Sequence, residues 1–101
     1  MNENCNSYIK ENEPPCEKIY PKGDYRVTDT SLLDVRTGPG REFRKKCYRE
    51  LTRDARRKTY ELLRFKADGY AMGVEFTVHK TCGSWGKTPS GWVYLDYCTK
   101  I

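Results

Sequence analysis

The sequence contains no apolar run near the roughly 18 residues that a bilayer-spanning helix needs. A membrane partner is therefore not expected. Its opening residues, Met1-Asn2-Glu3-Asn4-Cys5-Asn6-Ser7-Tyr8, carry neither a basic leader nor an apolar stretch, so no secretory signal is read there. With Met1 as the natural start, the chain is expected in the cytoplasm of the host cell. As a processed or excised module it would belong outside the cell or in the cell wall. There is one histidine, His79, and a Cys–His hydrolase would need a cysteine and an orienting group poised around it. No such spacing is visible, so no enzyme activity and no catalytic residues are expected. Cys-x-x-Cys pairs are also missing, which argues against a zinc site. His79, Cys82 and Cys98, completed by Cys5 or Cys16, make the one conceivable ligand set. No metal and no other cofactor is expected. Internal repeats and low-complexity segments are absent too.

What is present fits one small folded domain. The chain has 101 residues, 37% hydrophobic and 13% aromatic, enough for a modest core and too much for wholesale disorder. Charge is uneven. Residues 41–66 hold eleven of the nineteen Lys and Arg residues against four acids, a local net charge of +7 within a total of +5. That segment is either an ordinary solvated helix or a positive face that steers toward an anionic partner. Five cysteines (Cys5, Cys16, Cys47, Cys82, Cys98) leave at least one thiol unpaired in a monomer. In an oxidising compartment Cys82 with Cys98, and Cys5 with Cys16, are plausible pairs. In the cytosol all five would stay reduced. Both alternatives remain open.

Along the chain, residues 1–23 are polar and acidic, with Pro14-Pro15 and Pro21 interrupting any helix, and are expected as an extended arm. Tyr25, Val27, Leu33 and Val35 are expected to point inward around a bend at Asp29-Thr30-Ser31. Thr37-Gly38-Pro39-Gly40 is a turn. Thr52 suits a helix N-cap, with Asp54 in the first turn. Ala55, Thr59, Leu62 and Leu63 then share one helical face, and Arg53, Arg56, Arg57 and Arg64 the other. Ala67-Asp68-Gly69 is read as the stop and turn. Residues 73–79 alternate as a half-buried strand, Cys82-Gly83-Ser84 is a turn, and two short Trp-led strands close the chain around Thr88-Pro89-Ser90-Gly91.

The segments Asp34-Val35-Arg36-Thr37-Gly38-Pro39-Gly40, Ala71-Met72-Gly73, Trp85-Gly86-Lys87-Thr88 and Gly91-Trp92-Val93 together resemble a bacterial SH3-like domain. Such domains are small β-barrels often appended to cell-wall hydrolases. Arg49-Glu50-Leu51-Thr52-Arg53-Asp54-Ala55 is similar to a helical insertion in the SH3-like tails of gut clostridial and phage wall-lytic enzymes. The resemblance spans roughly residues 25–98 and implies a mainly β fold. The expected architecture is an acidic arm over 1–23 and an SH3-like barrel over 24–101, with one basic helical insertion at about 41–66. Asp34 stands where the family usually has Asn. The long basic loop between Gly40 and Gly73 departs more, and it occupies the place where relatives line their ligand groove.

Trp85 and Trp92 are expected to be mostly core. Tyr48, Tyr60, Tyr70, Tyr94 and Tyr97 are expected to be partly exposed, and if clustered they would anchor a partner. The expected partner-binding set is Arg44, Lys45, Lys46, Tyr48, Arg49, Arg53, Arg56, Arg57, Tyr60 and Tyr70, with Lys58 adding charge. Glu50 and Asp54 are expected to be ion-paired, and His79 is expected at a strand end on the surface. The function these readings favour is non-catalytic: a stand-alone protein that occupies a macromolecular partner, a protein or ribonucleoprotein. A phage or mobile-element inhibitor of a host defence such as CRISPR is one such role. The alternatives are cell-wall peptidoglycan binding, which the resemblance directly implies, and nucleic-acid binding through the basic helix.

Overall fold

The computed structural model describes residues 20–101. Residues 1–19 of the arm expected over 1–23, and a Cys5–Cys16 pair, lie outside the described residues; of the remainder, Tyr20 packs against the core and Gly23 already begins the first strand. Eight strands and one α-helix follow in order: β1 (Gly23–Val27), β2 (Leu32–Asp34), α1 (Arg53–Leu63), β3 (Gly69–Ala71), β4 (Glu75–Val78), β5 (Lys80–Cys82), β6 (Trp85–Thr88), β7 (Gly91–Tyr94) and β8 (Cys98–Lys100). The fold is thus mainly β with one inserted helix. Three antiparallel sheets form, ordered β4-β1-β8, β2-β3 and β5-β6-β7. Among the described residues these ladders do not join into one closed barrel. Single bridges link them: Arg36 exchanges both backbone hydrogen bonds with Trp92, and the His79 amide donates to the Lys87 carbonyl at 3.1 Å.

Alternation places the core. Tyr25, Val27, Leu33 and Val35 are all buried as expected, joined by Val74, Phe76, Val78, Val93 and Leu95. The bend at Asp29-Thr30-Ser31 separates β1 from β2. The β6–β7 hairpin turns at Thr88-Pro89-Ser90-Gly91 because the buried Thr88 hydroxyl organises it. That hydroxyl donates to the Gly91 carbonyl at 3.0 Å and accepts from the Ser90 and Gly91 amides at 3.1 and 3.3 Å.

Helix α1 starts at the expected cap, with the Thr52 hydroxyl accepting from the Ala55 amide at 3.2 Å. Ala55 and Thr59 are buried and Leu63 packs on the core, whereas Leu62 is 57% exposed and leaves the expected apolar face. The helix also stops before Ala67-Asp68-Gly69. Its C-cap is Arg64, left-handed at φ 65°. Gly69 is strand rather than turn; a Cβ there would lie 2.2 Å from the Leu33 carbonyl oxygen, so the close approach of β3 to β2 requires glycine. The strand expected over 73–79 is shorter, because Gly73 sits at φ +93° in the turn before β4.

The helix is fastened to the β2–β3 sheet through one hydroxyl. Thr59 Oγ1 donates to the Gly69 carbonyl at 3.0 Å and accepts from the Ala71 amide at 3.1 Å. The Met72 amide donates to Ser31, so the Leu32–Ala71 pair is a non-bonded one and the outer groups of β3 face away from β2. Thr59 therefore covers an edge that would otherwise be bare. Cys82 is disulfide-bonded and Cys98 is a free thiol, so the Cys82–Cys98 staple is not formed. The two strand ends belong to different sheets, which is why proximity in sequence pattern misled.

Candidate functional site

The basic insertion does not present its charges as one open face. Arg44 grips Glu50 with two nitrogens, at 2.9 and 2.7 Å, and Glu50 also accepts the Cys47 amide at 2.9 Å. The Arg44 hydrogen bond, followed by that amide, holds the Glu50 carboxyl down at about 2. Lys45 lies 4.0 Å from Asp34, and Lys46 reaches the Ser90 carbonyl at 2.7 Å. Arg57 pairs with Asp54 and Glu61, and Lys58 with Asp54. The hydrogen bond from Lys58 is the chief reason the Asp54 carboxyl is lowered. Ion pairing of Glu50 and Asp54 is thus as expected. Arg56 and Lys66 stand over the half-buried Tyr48 ring at 5.8 and 5.9 Å, and Arg56 also donates to the Arg49 carbonyl. Arg49 and Arg53 are exposed, and Tyr60 is 42% exposed on α1.

Tyr70 does not belong to that set. It is 3% exposed, stacked on Phe76 at 4.7 Å, with its hydroxyl 3.0 Å from Thr88. Its place in β3, against the core side of β2, buries it.

A different group of side chains converges. Strands β6 and β7 pair Trp85 with Tyr94 across the sheet, with ring centroids 5.3 Å apart. The chain then makes one 3-10 turn over Leu95–Tyr97, which returns Tyr97 edge-on to Tyr94 at 5.4 Å. These three aromatics wall a cleft of about 260 Å³, and Leu32, Asp34, Arg36 and Arg41 wall it from the other side. Trp85 is therefore half-exposed in the cleft, against the expectation that both tryptophans are core. Trp92, 2% exposed, does fill the core.

The opposite wall is set by the Gly38-Pro39-Gly40 turn. Arg36 Nη1 donates to the Arg41 and Phe43 carbonyls at 3.2 and 2.8 Å, which fixes the segment after the turn. Arg41 then projects its guanidinium over Tyr94, 5.3 Å from the ring centroid. The Tyr94 hydroxyl donates to Asp96 at 3.4 Å, and Tyr20 donates to the other oxygen of the same carboxylate. Burial first, then the Asp96 charge, pushes the Tyr94 phenol up from its ordinary value. Tyr94 is thus neutral near pH 7, an apolar face with a cation above it. The cleft offers aromatic faces for stacking, one guanidinium for a carboxylate or phosphate, and the Asp34 carboxylate.

Sequence reasoning placed Arg41 in the basic segment and Tyr94 and Tyr97 among the exposed tyrosines, but did not join them. The signal was the Trp85-x8-Tyr94 spacing about a four-residue turn, which pairs the two rings. No helix among the described residues is long and apolar enough to cross a membrane. No known protein family, curated protein or solved structure matches this chain.

Proposed function

We propose that the chain is a non-catalytic binding protein on an SH3-like scaffold. It occupies a macromolecular partner by taking an extended polypeptide segment into the Trp85–Tyr94–Tyr97 cleft. The observation that carries this reading is the aromatic row with Arg41 held over its centre. Flat rings bind apolar side chains and prolines at small entropic cost, and a guanidinium adds orientation through a carboxylate. Steric occupation of a partner needs no chemistry beyond this. The basic residues Arg49, Arg53 and Arg56 border the molecule and would favour an acidic partner.

Cell-wall peptidoglycan is the second reading. It is favoured by the disulfide at Cys82, which suits an oxidising exterior, and by an open cleft that fits cross-linking peptides or sugar rings.

The test is co-elution of the purified protein with a host lysate, alongside sedimentation with purified Firmicute peptidoglycan. The first reading predicts a stoichiometric complex that Tyr94→Ala weakens about tenfold or more, the scale of losing an aromatic anchor. Sedimentation lost in the same variant would move the assignment to the cell wall. Binding that survives Tyr94→Ala but collapses when Arg53, Arg56 and Arg57 become Glu would overturn the cleft as the site.

A further inference from the structure

Beside its rings the cleft has a stretch of open strand edge. Leu32 and Ala71 form a non-bonded pair of the β2–β3 ladder, so the backbone groups of Leu32 and Asp34 point away from β3, toward β7. On β7, Trp92 exchanges both backbone bonds with Arg36, at 2.8 and 2.9 Å. Tyr94, two residues on, therefore points its own backbone groups toward β2. The rung that would join Asp34 to Tyr94 is not made, because Arg36–Trp92 is an isolated bridge. The cause lies just after Tyr94. The Leu95 amide turns away to the Ser84 carbonyl at 2.8 Å, and the 3-10 turn carries Tyr97 to the bend before β2. There the Tyr97 carbonyl takes the Thr28 and Asp29 amides, both at 3.0 Å.

The two segments are thus pinned at both ends and open between, and the opening is the cleft. Leu33 has its side chain in the core, 2% exposed, yet it lines the cleft, so the wall there is the main chain of β2. The Leu32 carbonyl accepts the Thr30 hydroxyl at 3.2 Å. That leaves the Leu32 amide and both backbone groups of Asp34 without a hydrogen-bond partner among the described residues. Charge adds a second selector. Asp34 lies 4.0 Å from both Arg36 and Lys45, whereas Arg41, held over the Tyr94 ring, has no carboxylate partner among the described residues. The cleft's leftover charge is therefore positive. At about 260 Å³ it falls below the ~300–1,000 Å³ of small-molecule sites, which suits a short run of a longer chain.

We infer that the cleft reads its ligand's main chain: an extended, acid-bearing segment of a partner protein pairs with β2 through the Leu32 amide and the amide and carbonyl of Asp34, alongside the aromatic row. This rests on the proposed reading of the cleft as the binding site and adds the class of ligand, a polypeptide strand rather than a glycan. The open groups of Leu32 and Asp34 stand two residues apart, about 7 Å along the strand. Alternate residues of an incoming strand repeat their outward N–H and C=O groups at that interval, which a sugar chain does not. The backbone bonds supply affinity without regard to sequence. The rings and Arg41 then choose among strands, the rings by flat apolar contact and the guanidinium by a carboxylate.

The probe is a phage-displayed library of random dodecapeptides, selected for binding to the full chain and depleted on Tyr94→Ala that retains its circular dichroism. Selected peptides should be rich in Asp or Glu. In a synthetic copy of the strongest one, N-methylation of single backbone nitrogens should weaken binding about tenfold at one position or at two alternate ones. This scan alters only the peptide, so protein folding does not enter. Amide hydrogen exchange gives the second readout. In the free protein the Leu32 and Asp34 amides should exchange at least tenfold faster than those of Arg36 and Trp92, and they should slow when the peptide binds. A Tyr94-dependent peptide with a flat N-methyl scan and no slowing refutes the strand pairing and leaves the cleft as the site. Slow exchange at Asp34 in the free protein refutes the open edge. Peptidoglycan sedimentation that depends on Tyr94, with no Tyr94-dependent peptide recovered, refutes the ligand class. If neither probe depends on Tyr94, the cleft itself falls as the site and this inference with it.

Discussion

Replacing Thr59 by Val removes one hydroxyl while keeping the shape of the side chain. Thr59 is fully buried, and its Oγ1 satisfies two backbone groups on β3, the Gly69 carbonyl and the Ala71 amide. Ala71 is also fully buried and Gly69 is buried, so water cannot replace the lost partner. Each stranded backbone group costs about 1–3 kcal/mol, and the added methyl returns less than about 1 kcal/mol. The expected loss is therefore about 2–5 kcal/mol, a large part of the ~5–15 kcal/mol that holds a small domain together. Thr59→Ser keeps the hydroxyl and drops only a methyl, so it should cost about 1 kcal/mol. Urea unfolding of the unreduced protein, followed by tryptophan fluorescence, measures both. If Thr59→Val lies within about 0.5 kcal/mol of wild type, or Thr59→Ser costs as much as Thr59→Val, the hydroxyl is not what fastens α1 to the sheet.

Acid should weaken the protein partly through Glu50. Its folded carboxyl is held at about 2 against an ordinary 4.5, so its contribution is complete above pH 4.5 and is lost as pH falls toward 2. The Tm difference between wild type and Glu50→Gln should be full at pH 7 and shrink across that window; a difference independent of pH would contradict the ion pair. The two free thiols should differ in reactivity. Cys47 is exposed, whereas burial, aided by the Asp29 charge, pushes the Cys98 thiol up to about 12. Site-resolved iodoacetamide labelling at pH 8 should modify Cys47 well before Cys98, and equal rates would count against the partly buried position of β8's first residue.

Local signals in the sequence proved reliable where the physics is local. The Thr52 cap, the Thr88–Gly91 hairpin and the inward alternation from Tyr25 to Val35 all follow from a few neighbouring residues. What failed depended on partners far along the chain. Tyr70 looked like any half-wet tyrosine, and only the β2–β3 pairing and Phe76 bury it. Trp85 looked like core because a Trp that opens a strand usually packs inward, yet the register puts both tryptophans on one face of the sheet, where Trp92 is covered and Trp85 lines the cleft. Gly69 resembled a turn signal, but its reason is steric, the approach of the Leu33 carbonyl. The end of α1 at Arg64 was hidden because a left-handed cap without glycine has no marker in sequence.

The same distinction decides how to weigh the basic segment. A net charge of +7 over residues 41–66 reads as a polyanion site when counted along the chain. In space, Arg44, Lys45, Arg57 and Lys58 are engaged with carboxylates and Lys46 with a backbone carbonyl. Arg41, Arg56 and Lys66 lie against aromatic rings. That leaves Arg49, Arg53 and Arg64 with no side-chain partner among the described residues, although none of the others loses its charge. Single-stranded nucleic acid binding falls with salt by a log–log slope of about −0.7 per phosphate contacted. The seven bases not paired with a carboxylate would give a slope of at most about −5, where all eleven would give about −8. Four of the segment's eleven bases are paired with carboxylates, and Arg36, from outside the segment, fixes the turn that carries Arg41. On the proposed reading the insertion positions one cation over Tyr94, and the aromatic row, rather than the charge count, is the basis for proposing the site there.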